Sequence, residues 1–336
     1  MSQRILGISI LLVVSGWHSG LSAADTSISE VPFIGITHIS RIGSEPEFPR
    51  TVKMHIVKID LTAPSLSFKL TPPGGTRDVV RLTTLEYLKR QNAQVAINAH
   101  FFLPYPSADF DADVVGLAAS NGIVFSPFEA PSQNYAILRD APAINIDANN
   151  NASIVTIAAG STGGACSLCV TNDGWTMQPL VKVWNAFSGS AQIVTEGVKT
   201  IPCYVETARP ECKLAGPGPR NYSNDNSWYS LLNARTSIGL SRDNRTLFLF
   251  TVDRANGSEG MSIPEVADLL IRDYGVYNAL NMDGGGSVSL AMEDPVTHVR
   301  ALVNASSESS AGRPVATSLA IFAAPNRRKG NSTNQK

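Results

Sequence analysis

The sequence predicts an α+β fold, built on a large mixed or mostly antiparallel sheet with two main helices. Three observations predict it. Strand-like apolar runs recur from Phe33 to Ala323, separated by Gly, Pro, Asn and Asp turns. Only two segments carry full helix start signals. No internal repeat is visible, and 43% hydrophobic residues in a chain of 336 can bury a sizeable core.

The chain opens with Arg4 and the apolar run Ile5 to Val14, which is too short for a bilayer span. Ser22-Ala23-Ala24 follows, so residues 1–24 read as a secretory signal cleaved after Ala24. The expectation is a secreted or periplasmic protein with no membrane anchor after cleavage. Residues 25–325 form the domain, and residues 326–336 are a polar, disordered tail. Export favours disulfides among Cys166, Cys169, Cys203 and Cys212. Three pairings are open, with Cys203–Cys212 favoured for its short loop. Cys166 and Cys169 also have the spacing of half a zinc site, without the other half.

Thr51 to Leu61 is the clearest early strand. Val52, Met54 and Ile56 share one face; Val57, Ile59 and Leu61 share the other. This switch of phase means a bulge or a strand buried on both sides. Phe33 to Arg41 and Leu66 to Thr71 flank it as further strands, and Pro72-Pro73-Gly74-Gly75 breaks the chain. Thr83-Thr84-Leu85-Glu86 is a capping box, so a helix runs from there to about Asn92. Ala93 to Ala99 is an apolar strand that ends in Asn98 and His100. Two or three strands follow between Asn134 and Ile157. Residues 160–230 hold all four cysteines and read as an insertion or loop region, with a strand at Leu180 to Trp184.

Pattern returns with the paired strands Ala234 to Leu240 and Arg245 to Val252. Ser262-Ile263-Pro264-Glu265 is a second capping box with Pro at the first helical position, and its helix stops at Gly275. Tyr277 to Met282 then leads into Asp283-Gly-Gly-Gly-Ser287. Three glycines let a ligand approach the main chain, and their N–H groups can cradle an anion. Val288 to Met292, Val299 to Val303 and Ser318 to Ala323 close the fold.

Polar residues repeatedly sit at strand ends: Asn98, His100, Asn121, Arg235, Thr236, Asp253, Arg254, Asn281, Asp283, Asn304 and Arg313. Each alone marks a turn or a solvated surface. Together they can line one polar cleft. The net charge of -1, with no basic stripe, excludes nucleic acid as a partner. The oligomeric state is not legible.

The blocks TVKMHIVKIDL, AQVAINAHFF, GLAASNG, ARTSIGL, the acid after LFLFTV, GSEGMSIPEVADLL, ALNMDGGGSVSL and VNASSESSAGRPVATSLAIF occur in that order. Over residues 51–322, weakly between 160 and 230, they resemble the phosphodiester glycosidases. That is the family of the animal lysosomal enzyme that uncovers mannose 6-phosphate. Members often have Gly where His100 stands, and a Gly between the acid and the arginine of Asp253-Arg254. The resemblance implies hydrolysis of the anomeric C–O bond of a sugar-1-phosphodiester, such as an N-acetylglucosamine-1-phosphodiester.

In that chemistry Asp283 is the catalytic carboxylate, with Asp253 or Glu259 as the second. Arg235, Arg254 and Arg313, with the N–H groups of Gly284, Gly285 and Gly286, hold the departing phosphate. Asn98 and Asn281 position sugar hydroxyls. His100, Asn121, Thr236, Ser287 and Asn304 complete the substrate-binding set. No cofactor is required; a hard cation such as Ca²⁺ would suit Asp253 and Asp283. Two alternatives stay open: a non-catalytic glycan- or envelope-binding protein on the same fold, and a phosphodiesterase that cleaves P–O.

Overall fold

The computed structural model describes residues 26–126, 142–157, 177–179, 181–201 and 229–326. The segment read as a signal, residues 134–141 of the expected strands, all four cysteines and the tail from Arg327 lie outside them. The α+β architecture is present. The described strands fall into four sheets rather than one, and every recorded pairing is antiparallel.

Four layers make the body. Helix α1, Thr84–Gln91, covers one face of a five-stranded sheet through Tyr87, Leu88, Ala96, Ala291 and Ala320. The other face of that sheet meets an eight-stranded sheet. Val95, Ile97, Leu290, Leu319 and Ile321 pack there against Val57, Ile59, Ile238, Leu249 and Leu280. Helix α2, Ile263–Tyr274, covers the outer face of the eight-stranded sheet with Ile263, Val266, Ala267, Leu269 and Leu270. Each fully buried Leu or Ile in these layers contributes about 1.5–3 kcal/mol.

The layering explains the change of phase in the strand Val52–Asp60. Its register with both neighbours is unbroken, so there is no bulge. Val52, Met54 and Ile56 face α2, while Val57 and Ile59 face the inter-sheet core. Both helices start where expected, the first with only the Thr83 half of its expected capping box. Thr83 Oγ1 accepts the Glu86 N–H, and Ser262 and Glu265 form a complete capping box. Asn92 and Gly275 end them in the left-handed conformation.

Two strands differ from expectation. Phe33 to Arg41 is not one strand but the bend of a hairpin, Thr26–Phe33 with Ile36–Gly43, turning at Gly35 with φ 77°. The first strand is exposed except at its last two residues, so it shows no apolar alternation. Residues 181–184 are irregular, and the strands there are Asn185–Ser188 and Ala191–Thr195. No helix among the described residues is long and apolar enough to cross a membrane.

The glycine run occupies a distinctive place in this sandwich. It follows Asn278–Asn281 in the eight-stranded sheet and precedes Leu290–Glu293 in the five-stranded one. It therefore carries the chain from one sheet to the other.

Candidate active site

Asn98 fixes that crossover. Its Nδ2 donates to the Asp283 carbonyl at 2.8 Å. Its Oδ1 accepts from Thr236 Oγ1 at 2.8 Å and from the Ser289 N–H at 3.1 Å. The Met282, Asp283 and Gly285 N–H groups donate to the carbonyls of Thr236, Ala99 and Ala234. Both sheets thus hold the segment, and the Asp283 side chain projects from a rigid base. Asn98 and Thr236 are fully buried and act on the loop, not on solvent.

The glycines are required for a different reason from the one expected. Gly284 N–H donates to Asp283 Oδ1, Gly285 N–H to Ala234 O, and Ser287 N–H to Gly284 O. With those donors engaged, the N–H groups of Gly284 and Gly285 are already committed within the protein. Gly285 has φ 59°. A Cβ on Gly286 would run into the Glu308 carboxylate and the Arg313 guanidinium. The glycines let the main chain lie directly beneath that ion pair.

Arg313 is the hub above the loop. Its Nε donates to Glu308 Oε2 at 2.7 Å, and Nη2 pairs with the same oxygen. Its Nη1 lies 3.3 Å from Ser287 Oγ, and its guanidinium carbon sits 4.9 Å over the Tyr105 ring. Burial pushes the Asp283 carboxyl up to about 6, against lowering by the Ser287 hydroxyl, the Arg313 charge and the Gly284 N–H. A carboxyl, a hydroxyl and a guanidinium therefore form one chain: Asp283, Ser287, Arg313. Arg81 adds a second positive charge, whose pKa is lowered by burial and then by the nearby Arg313 charge. Arg81 is anchored on the carbonyls of Ser107, Asp109 and Pro314.

Asp253 forms a separate centre. It is buried, with Oδ1 accepting from Asn304 Nδ2 at 3.2 Å and Oδ2 from the Ala305 N–H at 2.9 Å. Burial pushes it to about 6 as well. It lines a cleft of about 310 Å³ with Lys53, His55, Asn256 and Asn304. Asn304 is the link between the two centres: its Oδ1 accepts the Leu290 N–H at 2.7 Å, and its Nδ2 also lies 3.3 Å from Val288 O. Asp253 thus braces the segment that follows Ser287.

Other expected residues lie elsewhere. His100 is fully buried, with Nδ1 2.8 Å from Thr317 Oγ1 and Nε2 2.9 Å from Leu117 O. Burial holds its pKa down at about 4, so it is a neutral core residue, not a substrate ligand. Asn121 is exposed in the turn before Ile123–Ser126, in a different sheet. Arg235 touches the loop, but its Nε donates to Met261 O at 3.1 Å and its Nη2 to Leu231 O, so a phosphate would compete with backbone for it. Asn281 is buried against Ser190 Oγ at 2.9 Å. Arg254 and Glu259 are exposed on the loop after Asp253.

Asp253 accepts from Asn304 and Ala305, Asp283 accepts from the Gly284 N–H, and no recorded contact joins the two carboxylates. Among the described residues no group of three or more His, Cys, Asp or Glu side chains could hold a metal ion. The sequence reading missed Glu308 and Tyr105. Glu308 lies five residues before Arg313 in a Ser-rich loop, and Tyr105 stands between two prolines; the acid near Arg313 was the available signal.

A family model described as phosphodiester glycosidase matches residues 91–322. Among solved structures, the catalytic domain of zebrafish N-acetylglucosamine-1-phosphodiester alpha-N-acetylglucosaminidase, auto-inhibited by its pro-peptide, is similar. It is 18% identical over 90% of this chain and 89% of that one, with a TM-score of 0.57. A putative exported protein of Burkholderia pseudomallei is 13% identical over 90% and 97%, with a TM-score of 0.56. A hypothetical protein from Synechocystis is 17% identical over 86% and 62%, with a TM-score of 0.53. At these identities the structures share the fold. No curated protein matches the sequence.

Proposed function

We propose a hydrolytic function from one premise: the chain belongs to the phosphodiester glycosidase family. On this reading it cleaves the anomeric C–O bond of a sugar-1-phosphodiester, for which an N-acetylglucosamine-1-phosphodiester is the leading candidate substrate. The N-terminal secretory pattern adds that it acts outside the cytoplasm. The observation that carries the reading is the Asp283–Ser287–Arg313 chain on a rigid crossover.

The chemistry follows from that arrangement. As the C1–O bond lengthens, positive charge grows at the sugar and negative charge on the departing phosphate. The Asp283 carboxylate stabilises the first, and the Arg313 guanidinium stabilises the second. A phosphate monoester departs well and needs little protonation. Water adds its hydroxyl to C1, and its proton goes to the phosphate or to solvent. Asn98, Thr236 and Asn304 keep the loop in place.

Turnover in heavy-oxygen water tests this. The label is expected at C1 of the released sugar. Label in the phosphate would replace the reading with P–O cleavage.

A further inference from the structure

The Arg313 fork already holds an anion. The Nε and Nη2 edge of a guanidinium is the edge that matches a carboxylate or phosphate. Here both donors converge on one oxygen of Glu308. The remaining ties of Arg313, to Ser287 Oγ and to the Tyr105 ring, leave that edge facing Glu308 alone.

The two partners are held very differently. Arg313 has a side chain 16% exposed and precedes Pro314, whose carbonyl Arg81 grips, and Val315, which bridges to Leu82. Glu308 has a side chain 46% exposed. The recorded hydrogen bonds of residues 306–312 stay inside that loop, apart from the Glu308 pair. Ser306 Oγ accepts from the Glu308 N–H, Ser309 Oγ donates to Gly312 O, and the Gly312 N–H donates to Ser309 O. The cation is anchored and the anion rides on a self-contained loop.

We propose that Glu308 is a displaceable internal anion that reserves the Arg313 fork for a ligand carrying its own negative charge. The inference rests on the phosphodiester reading of the site and names its specificity device. A phosphodiester replaces one negative charge on Arg313 with another. A glycoside with an uncharged aglycone would have to break the ion pair and offer nothing in return. Glu308 therefore selects against neutral glycosides and weakens anion binding by its own competition.

The test is a calorimetric titration of the full-length protein with inorganic phosphate at neutral pH and fixed ionic strength. Glu308→Gln is expected to bind phosphate about three- to tenfold tighter than wild type, the range for removing a partly exposed ion-pair competitor. Arg313→Met is expected to abolish the binding in both backgrounds. Glu308→Asp, with its shorter reach, is expected to fall between wild type and Glu308→Gln.

Equal or weaker phosphate binding by Glu308→Gln, or binding that survives Arg313→Met, would overturn the assignment. So would phosphate binding by neither wild type nor Glu308→Gln. The titration needs no turnover. If it behaves as expected while the heavy-oxygen label enters the phosphate, the glycosidase reading fails and the role of Glu308 stands.

Discussion

Asp283 and Asp253 make an instructive pair. Both follow the ends of strands in the eight-stranded sheet, and burial pushes both to about 6. Their partners differ. Asp253 has both oxygens on fixed donors, Asn304 Nδ2 and the Ala305 N–H, and the cation that bears on it is Lys53, bonded to Asn256 O. Asp283 shares its site with the Ser287 hydroxyl and with Arg313, whose other partner sits on a loop. A raised pKa therefore reports burial and does not by itself identify chemistry. On the proposed reading, the cation paired with a loop acid distinguishes the centre at Asp283 from the brace at Asp253.

The largest expected effect separates the two aspartates outright. Asp283→Asn should lower kcat by about 10³-fold, since it removes the charge that faces C1. The same change should raise the melting temperature above pH 6. The sign follows from linkage. An acid whose folded pKa is raised from 3.8 to about 6 binds its proton more tightly when folded, so stability falls as pH rises through that window. Removing the acid removes the fall, which a thermal melt across the window reads.

Arg313→Met should cost about a hundredfold in kcat/KM on a phosphodiester. It should also move the acid limb of the pH profile upward, because Arg313 lowers the Asp283 pKa. A limb that stays in place would detach Arg313 from Asp283.

The brace predicts a different signature. Asn304→Ala leaves Asp253 Oδ1 and the Leu290 N–H without their partner. A loss of about 1–3 kcal/mol in denaturant unfolding is expected. Activity should fall by no more than about tenfold, through displacement of the Ser287 segment.

Much of the fold was legible in the sequence, but the division between the two aspartates was not, since both read as members of one catalytic pair. The Thr83 cap, the complete Ser262 capping box and the existence of the strand Val52–Asp60 follow from local pattern, while bulge and double burial were both open for that strand. Asn98, Thr236 and Asp283 do come together, but Asn98 and Thr236 lie buried beneath the loop instead of lining a cleft. Four sheets could not be read, because alternation reports burial and not partner. His100 and Asn281 were legible as polar strand-end residues, but their satisfaction inside the core depends on Thr317, Leu117 and Ser190, which are distant in sequence. Glu308 escaped because a loop acid acquires meaning only once Arg313 is seen beside it.

The smallest effects belong to Arg254 and Glu259. Their exposed positions predict that Arg254→Ala and Glu259→Gln change stability by less than about 0.5 kcal/mol and activity by less than about twofold. A larger loss in steady-state rate would draw that loop into the site.

The most direct measurement is the pH dependence of kcat/KM for Asp253→Asn beside the wild type. If Asp283 is the reacting carboxylate, both proteins keep an acid limb near pH 6, with only the amplitude reduced in the variant. Disappearance of that limb in Asp253→Asn would contradict the assignment and move the chemistry to the Asp253 cleft.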